Sequence, residues 1–265
     1  MPVHPSAVID PRATIDPTAT IGPHVVIDGP ARIGPRCHLA AGVIVYGATK
    51  IGADCRIHAH AVIGDLPQDR AYDGGESYCL IGECCIIREG VTIHRGTIPG
   101  TATVVGNRCL LMTNSHVGHN CQLGDDVTLV SGVLLGGYVT VGAKAIISGN
   151  AAVHQFVRIG ELAMVSALAK IVQDVPPFFM TDRDGAIVGV NRVGLARAEV
   201  LPADRDEIKM AHRILYRMSL HRDEALELLA ALVTPSARKI HEFMLANTHR
   251  GVSRRESVRR RIAAA

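Results

Sequence analysis

One register governs most of this chain. Counting every sixth residue from Ile9 gives Ile15, Ile21, Ile27, Ile33, Leu39, Val45, Ile51, Ile57 and Ile63, and later Val105, Leu111, Val117, Leu123 and onward to Ile171. Of the 28 positions from Ile9 to Ile171, 25 are Ile, Leu or Val; Asp69, Gly75 and Pro99 are the exceptions. A period of six fits neither the 3.6-residue helix nor simple strand alternation. It fits a hexapeptide parallel β-helix, in which short strands alternate with turns and the aliphatic residue points inward. Gly, Asp or another small residue often follows the aliphatic one, as in Ile21-Gly22, Ile33-Gly34, Ile51-Gly52 and Leu123-Gly124. Glycine there is expected to permit tight corners.

Such hexads resemble the left-handed β-helix proteins, where three hexads close one triangular coil of 18 residues. The handedness is what the resemblance implies; the spacing alone does not set it. Composition suits a narrow interior: the chain has no Trp and only 3% aromatic residues, against 48% hydrophobic ones. Cys37, Cys55, Cys79, Cys85, Cys109 and Cys121 all stand four residues after a register position, a slot expected to be small and inward. Packing therefore explains them better than metal or redox chemistry; Cys84 is out of phase and expected to be exposed.

The breaks predict two loops leaving the coil, near 66–79 and 99–103, and loops on a rigid scaffold are where binding groups concentrate. The period stops after Pro176-Pro177. The expected organisation is a β-helix over 1–177 and a linker with an α-helical domain over 178–265. Residues 178–195 read as irregular. Helical patterning covers 203–219, 222–233 and 235–247, with Pro202 and Pro235 near helix starts.

No run of 18 apolar residues predicts a membrane span. The start lacks the basic flank and apolar stretch of a secretory signal, so a cytoplasmic address is expected. Net charge is +3, yet residues 192–265 hold 15 Lys/Arg against 9 Asp/Glu. That balance, with six arginines between Arg250 and Arg261, predicts an acidic partner.

Among 13 histidines, most are read as solvated or interfacial. His116, His119 and His154 differ by position. Residues 18 apart should stack at roughly 4.8 Å, which sets Gly137 over His119 and Gln155 beyond it, with Gly118, Gly136 and His154 in the adjacent column. An imidazole beside a bare backbone N–H offers a base for a hydroxyl and a donor for an oxyanion. Three polar surface residues would look the same by spacing alone.

More specific strings are Thr92-Ile-His-Arg-Gly-Thr97, Leu110-Leu-Met-Thr-Asn-Ser-His-Val-Gly-His-Asn-Cys121, Val153-His-Gln-Phe156, Gln173-Asp-Val-Pro-Pro177 and Gly189-Val-Asn191. They closely resemble the UDP-N-acetylglucosamine O-acyltransferase family over nearly the whole chain. The resemblance implies transfer of a 3-hydroxyacyl group from acyl carrier protein to the sugar 3-hydroxyl, beginning lipid A synthesis, in a homotrimer whose sites lie between subunits. It implies His119 as general base and Gly137 as oxyanion donor. His116, His154 and Gln155 would line the substrate site. Gln68 and Asp69 would contact the sugar, and Asn191 and Arg197 the nucleotide or pantetheine side. Ala167, where the family commonly has Gly, would end the acyl groove as a ruler; it stands three coils above Thr113 and is expected near the His119 hexad. No cofactor, metal or nucleic acid is implied.

The chain departs from the family pattern at Asn120, usually Asp, at Ala71, usually Lys with Arg70 adjacent here, and at Tyr138, commonly His. These keep open N-acyl transfer to a 3-amino sugar, which needs a weaker base, and a catalytically idle paralogue; a hexapeptide zinc carbonic anhydrase using His94, His116 and His119 is a separate alternative.

Overall fold

The computed structural model describes residues 3–253. Among these, short strands recur every six residues and assemble into three sheets of nine, eight and ten strands. Pairing is parallel along the whole coil. In the nine-stranded sheet Val117 pairs with Leu135, and Leu135 with Val153. In the eight-stranded sheet Leu123 pairs with Val141, and in the ten-stranded sheet Leu111 pairs with Leu129. Uninterrupted coils therefore step by 18, and the three sheets are the sides of a prism.

Two inward residues per hexad fill this prism. The register aliphatics Ile27, Leu39, Ile63, Leu111, Leu129 and Leu135 are buried, and so are the slots four residues on, taken mostly by Ala, Val or Cys with Thr49, Thr103 and Ser115 among them. Cys37, Cys55, Cys79, Cys85, Cys109 and Cys121 occupy such slots, while Cys84 is exposed. Several of these thiols donate to a neighbouring coil's glycine carbonyl, as Cys109 does to Gly124 O at 3.2 Å. Burial pushes Cys79 and Cys121 up to about 12, so they stay protonated thiols.

The glycines that directly follow the aliphatic residue do a different job from the one expected, whereas Gly42, Gly90 and Gly132 do take left-handed corners. Where the backbone is left-handed along the coil it is mostly three residues after a register aliphatic, as at Asp54, Asn114, Asn120, Asp126, Tyr138, Asn150 and Phe156, with φ between 55° and 66°. Asn and Asp tolerate this region better than other residues. Gly22, Gly34, Gly52 and Gly124 instead allow close approach of coils. A Cβ on Gly34 would lie 2.7 Å from the Gly52 carbonyl carbon, and one on Gly52 2.6 Å from Gly82 O.

The coil is interrupted twice. One excursion lies between the strands Val62–Asp65 and Tyr78–Ile81, the other between Thr92–His94 and Ala102–Val105. The first begins where the register breaks but ends earlier, and the second both begins and ends earlier, because Thr92–His94 closes before residue 95 and Tyr78, Cys79, Ala102 and Thr103 are already paired. Beyond the coil, residues 178–195 are ordered rather than irregular. An antiparallel hairpin, Phe179–Thr181 with Ile187–Val190, extends the ten-stranded sheet. It leads into helices α1 (Arg192–Arg197), α2 (Pro202–Arg217), α3 (Arg222–Ala230) and α4 (Pro235–Leu245). Pro202 and Pro235 sit in the first turns of α2 and α4, where a missing N–H costs nothing. Ile208 and Ile214 on α2 and Ile240 on α4 are buried between the helices and the coil.

Asp174 joins coil to helices. It is fully buried, takes Arg158 Nε at 2.8 Å, and bridges to Val252. Arg158 in turn stacks on Phe243 of α4, 4.3 Å from the ring centroid. This accounts structurally for the Gln173-Asp-Val-Pro-Pro177 string. Of the 15 basic residues after 191, five lie in 254–265, outside the described residues, as does most of the arginine-rich tail.

Candidate active site

His119 stands at the corner joining the nine- and eight-stranded sheets, directly after the strand His116–Val117. Its side chain is 11% exposed. Nδ1 lies 3.1 Å from Asn120 Oδ1, and Nε2 lies 3.7 Å from Asp69 Oδ2. Asn120 Oδ1 also accepts the Thr97 N–H at 2.8 Å, so the amide oxygen, not the amide nitrogen, faces the imidazole. With its proton on Nδ1, His119 satisfies Asn120 Oδ1 and keeps the Nε2 lone pair for a substrate proton; Asp69, 3.7 Å from Nε2, faces the charge that nitrogen gains when it takes one.

Gly137 stacks on this imidazole as the 18-residue step requires. A Cβ there would lie 2.5 Å from both Cε1 and Nε2 of His119. Its carbonyl accepts Phe156 N–H at 3.0 Å, while its own N–H serves none of the coil's backbone hydrogen bonds. An unspent donor thus sits beside the basic nitrogen. Tyr138 meets the His119 ring edge-on at 5.3 Å and stacks on Phe156 at 5.0 Å, which meets His249 at 5.2 Å. The corner column 120, 138, 156 thereby carries a wall of rings ending in the C-terminal segment.

His116 faces outward from the nine-stranded sheet beside His119. Its Nδ1 lies 2.7 Å from Thr92 Oγ1, and His94 packs edge-on against it at 5.2 Å. Burial, then the nearby His94 and His119, push His116 down to about 4, so it is neutral near pH 7. His94 itself is buried and its Nδ1 contacts the Leu66 carbonyl at the start of the first excursion. That excursion carries Gln68, exposed, and Asp69, whose Oδ1 accepts the Ala71 N–H at 3.0 Å. His154 and Gln155 lie exposed higher on the same corner, with His154 Nδ1 3.3 Å from Gln155 O.

Three predicted site residues lie elsewhere. Asn191 is buried and fully employed: Oδ1 caps α1 through the Gly194 N–H at 2.9 Å, and Nδ2 donates to Leu162 O at 2.8 Å. Arg197 is exposed in the last turn of α1. Both border a groove of about 810 Å³ between α1 and the ten-stranded sheet, floored by Ile146, Met164 and Met180 and flanked by Lys144 and Arg192. Ala167 is exposed and does stand three coils above Thr113, through Ser131 and Gly149. Yet that column is the corner between the ten- and nine-stranded sheets. Within one chain Ala167 and His119 occupy opposite edges of the nine-stranded sheet, which corrects the expected proximity. Residues that spacing did not flag are Thr97 and Thr101 from the second excursion and Thr103 from the strand that follows it, which together surround Asn120.

Among the described residues no three His, Cys, Asp or Glu side chains converge as a metal-ligand set. Comparison with known proteins agrees with the geometry. Residues 30–65 and 102–137 match the bacterial transferase hexapeptide model, and residues 174–253 match domain 2 of UDP N-acetylglucosamine O-acyltransferase. An acyl-[acyl-carrier-protein]–UDP-N-acetylglucosamine O-acyltransferase from Anaeromyxobacter is 39% identical over 74% of this chain and 77% of its own length. The protein of the same name from Myxococcus xanthus is 43% identical over 73% and 76%. The solved Francisella novicida UDP-N-acetylglucosamine acyltransferase superposes with a TM-score of 0.93 at 35% identity, covering 99% of this chain and 98% of that one. These relatives do not favour the amino-sugar, carbonic anhydrase or idle readings. With its left-handed parallel β-helix and helical C-terminus, the chain belongs to the UDP-N-acetylglucosamine O-acyltransferase family.

Proposed function

We propose that this enzyme moves a 3-hydroxyacyl group from an acyl carrier protein thioester to the 3-hydroxyl of UDP-N-acetylglucosamine, the opening reaction of lipid A synthesis. The observation that carries the mechanism is the His119–Gly137 pair. His119 Nε2 takes the proton of the sugar hydroxyl as its oxygen attacks the thioester carbonyl. The Gly137 N–H stabilises the oxyanion of the tetrahedral intermediate. Collapse breaks the carbon–sulfur bond, and the departing thiolate takes its proton from the imidazolium, restoring the base.

Gln68 and Asp69 hold the sugar over His119, with neutral His116 beside it and His154 and Gln155 above. The groove under α1 takes the nucleotide or pantetheine side through Arg197. Asn191 serves that wall by capping α1 rather than by direct contact. The coil up to Pro177 and the hairpin and helices from Phe178 to Ser253 act as separate domains, the first carrying the base and the second this wall. A homotrimer completes the site: one chain presents a single flat sheet between His119 and Ala167, and a second wall must come from a neighbouring subunit. Soluble donor and acceptor point to the cytoplasm, and no helix among the described residues is long and apolar enough to cross a membrane.

His119→Ala should lower kcat by ~10²–10⁴-fold while the KM for the nucleotide sugar stays near wild type, measured with a 3-hydroxyacyl carrier-protein donor. A variant holding more than about a tenth of the wild-type rate, against that expectation, removes His119 from the base role.

A further inference from the structure

A carboxylate is two-fold symmetric and presents an acceptor whichever way it turns. An amide does not. If Asn120 turned over, its NH₂ would face His119 Nδ1, which would then have to be the unprotonated nitrogen. The proton would sit on Nε2, where no base remains for the substrate. An enzyme with Asn at this position therefore needs something that reads the amide's two ends.

The second excursion supplies it. The Thr97 N–H, a donor that cannot rotate, points at one end of the Asn120 side chain at 2.8 Å. Thr101 Oγ1 lies 2.8 Å from the other end. Thr101 has a single hydroxyl proton, which it gives to Ile98 O at 2.6 Å. Toward Asn120 it offers a lone pair, so the group facing it must be the NH₂. The Asn120 backbone is fixed separately by its own N–H on Thr103 Oγ1 at 2.7 Å. Gly96 leaves room for this: a Cβ there would lie 2.6 Å from Thr101 Oγ1 and from Thr101 O. The loop is tied down by Arg95 N on Asp65 O and Gly96 N on Tyr78 O, at 3.0 and 3.2 Å. Asn120 is left 7% exposed, so water does not replace these partners.

We propose that Thr101 is a positioning residue: with the Thr97 N–H it forms a donor–acceptor fork that holds the Asn120 amide in one orientation and thereby keeps the His119 proton on Nδ1. This rests on His119 as the base. Thr101 touches neither base nor substrate and acts only through Asn120.

The test uses the full-length enzyme with ¹⁵N-labelled histidine. In the wild type the His119 nitrogens should show one tautomer, protonated at Nδ1. Thr101→Val keeps the shape and removes the acceptor. It should lower kcat about fivefold, the worth of one net hydrogen bond, leave KM near wild type, and reveal the Nε2-protonated form. Thr101→Ser restores the lone pair and should restore both readouts. In Asn120→Asp the tautomer should stay Nδ1–H with either Thr or Val at 101, because both carboxylate oxygens accept. A merely structural Thr101 would disturb both backgrounds alike. If Thr101→Val does not fold, Thr101→Ala carries the same expectation. A single Nδ1–H tautomer with kcat within twofold of wild type in the Val or Ala variant overturns the proposal. If instead His119→Ala stays active, the base assignment fails, while the tautomer spectra still report on the fork.

Discussion

An alanine at position 137 adds one methyl group in the least accommodating place on the coil. Its Cβ would meet Cε1 and Nε2 of His119 at 2.5 Å, whereas carbon atoms in ordinary contact sit about 3.5–4.0 Å apart. The ring must therefore retreat by about 1 Å. Asn120 holds Nδ1 at 3.1 Å, and the Tyr138 ring stands edge-on at 5.3 Å. Retreat thus strains the bond that sets the tautomer. Misplacing a catalytic group by this much costs ~10²-fold. The Gly137 N–H survives the substitution, so the loss reads the base and not the oxyanion donor. The contact is with a side chain, so the coil should survive too: Tm should fall by less than roughly 3 °C, about 1 kcal/mol for a chain of this size. Gly118→Ala is the contrasting case. Its Cβ would meet Leu135 O at 2.8 Å and Gly136 C and Gly137 N at 2.9 Å. Those are backbone atoms of the next coil, so Tm should drop there. Acyl transfer assays with a carrier-protein donor, paired with thermal melts, separate the two. If Gly137→Ala keeps more than about a tenth of the wild-type kcat, against a ~10²-fold expectation, then Gly137 is not holding its place for the imidazole.

Ala167→Gly should move donor preference to longer acyl chains and Ala167→Met to shorter ones, read as relative rates across a donor series; identical profiles would place Ala167 outside the groove. Its methyl projects about 1.5 Å, one carbon–carbon bond, so a shift of about one carbon is expected for the Gly variant. Stability should depend on His116, whose folded pKa lies near 4 against 6.5 ordinarily, through burial and the facing His94 and His119. As pH falls from 6.5 toward 4 the unfolded chain takes up this proton first, so stability present above pH 6.5 is lost through that window. His116→Asn should flatten the fall of Tm over that range, and an unchanged slope would count against the assignment.

The six-residue period was enough to read the coil, the inward cysteines and the stacking of Gly137 on His119. All three depend only on the sequence step, which stays at 18 wherever the coil is unbroken. The same step misled for Ala167. It ranks residues correctly along the prism but does not say which two of three corners share a groove; Ala167 and His119 sit six-residue hexads apart around the perimeter as well as coils apart in height. The hairpin at Phe179–Val190 was illegible for another reason. Its strands are three and four residues long, too short for a period to show, and it is held by the sheet it extends.

Excursions hide what they deliver. Val62 pairs with Thr92, and Thr92 with His116, steps of 30 and 24 where an unbroken coil steps 18. Each insertion leaves its coil in register below and above but places its own residues by loop packing. Asp69 reaches His119 Nε2, and Thr97 and Thr101 reach Asn120, with no sequence spacing to announce it. The coil alone repeats an outward backbone corner with a left-handed residue beside it many times over, with little chemical distinction. What turns one corner into a site is the pair of loops, one bringing a carboxylate within 3.7 Å of the imidazole Nε2, the other bringing a donor and an acceptor to the amide behind it. The departure from Asp to Asn at 120 is then intelligible only together with Thr97 and Thr101. A neutral side chain supplies no charge to stabilise imidazolium, but it can still fix which nitrogen is free, provided its own two ends are told apart.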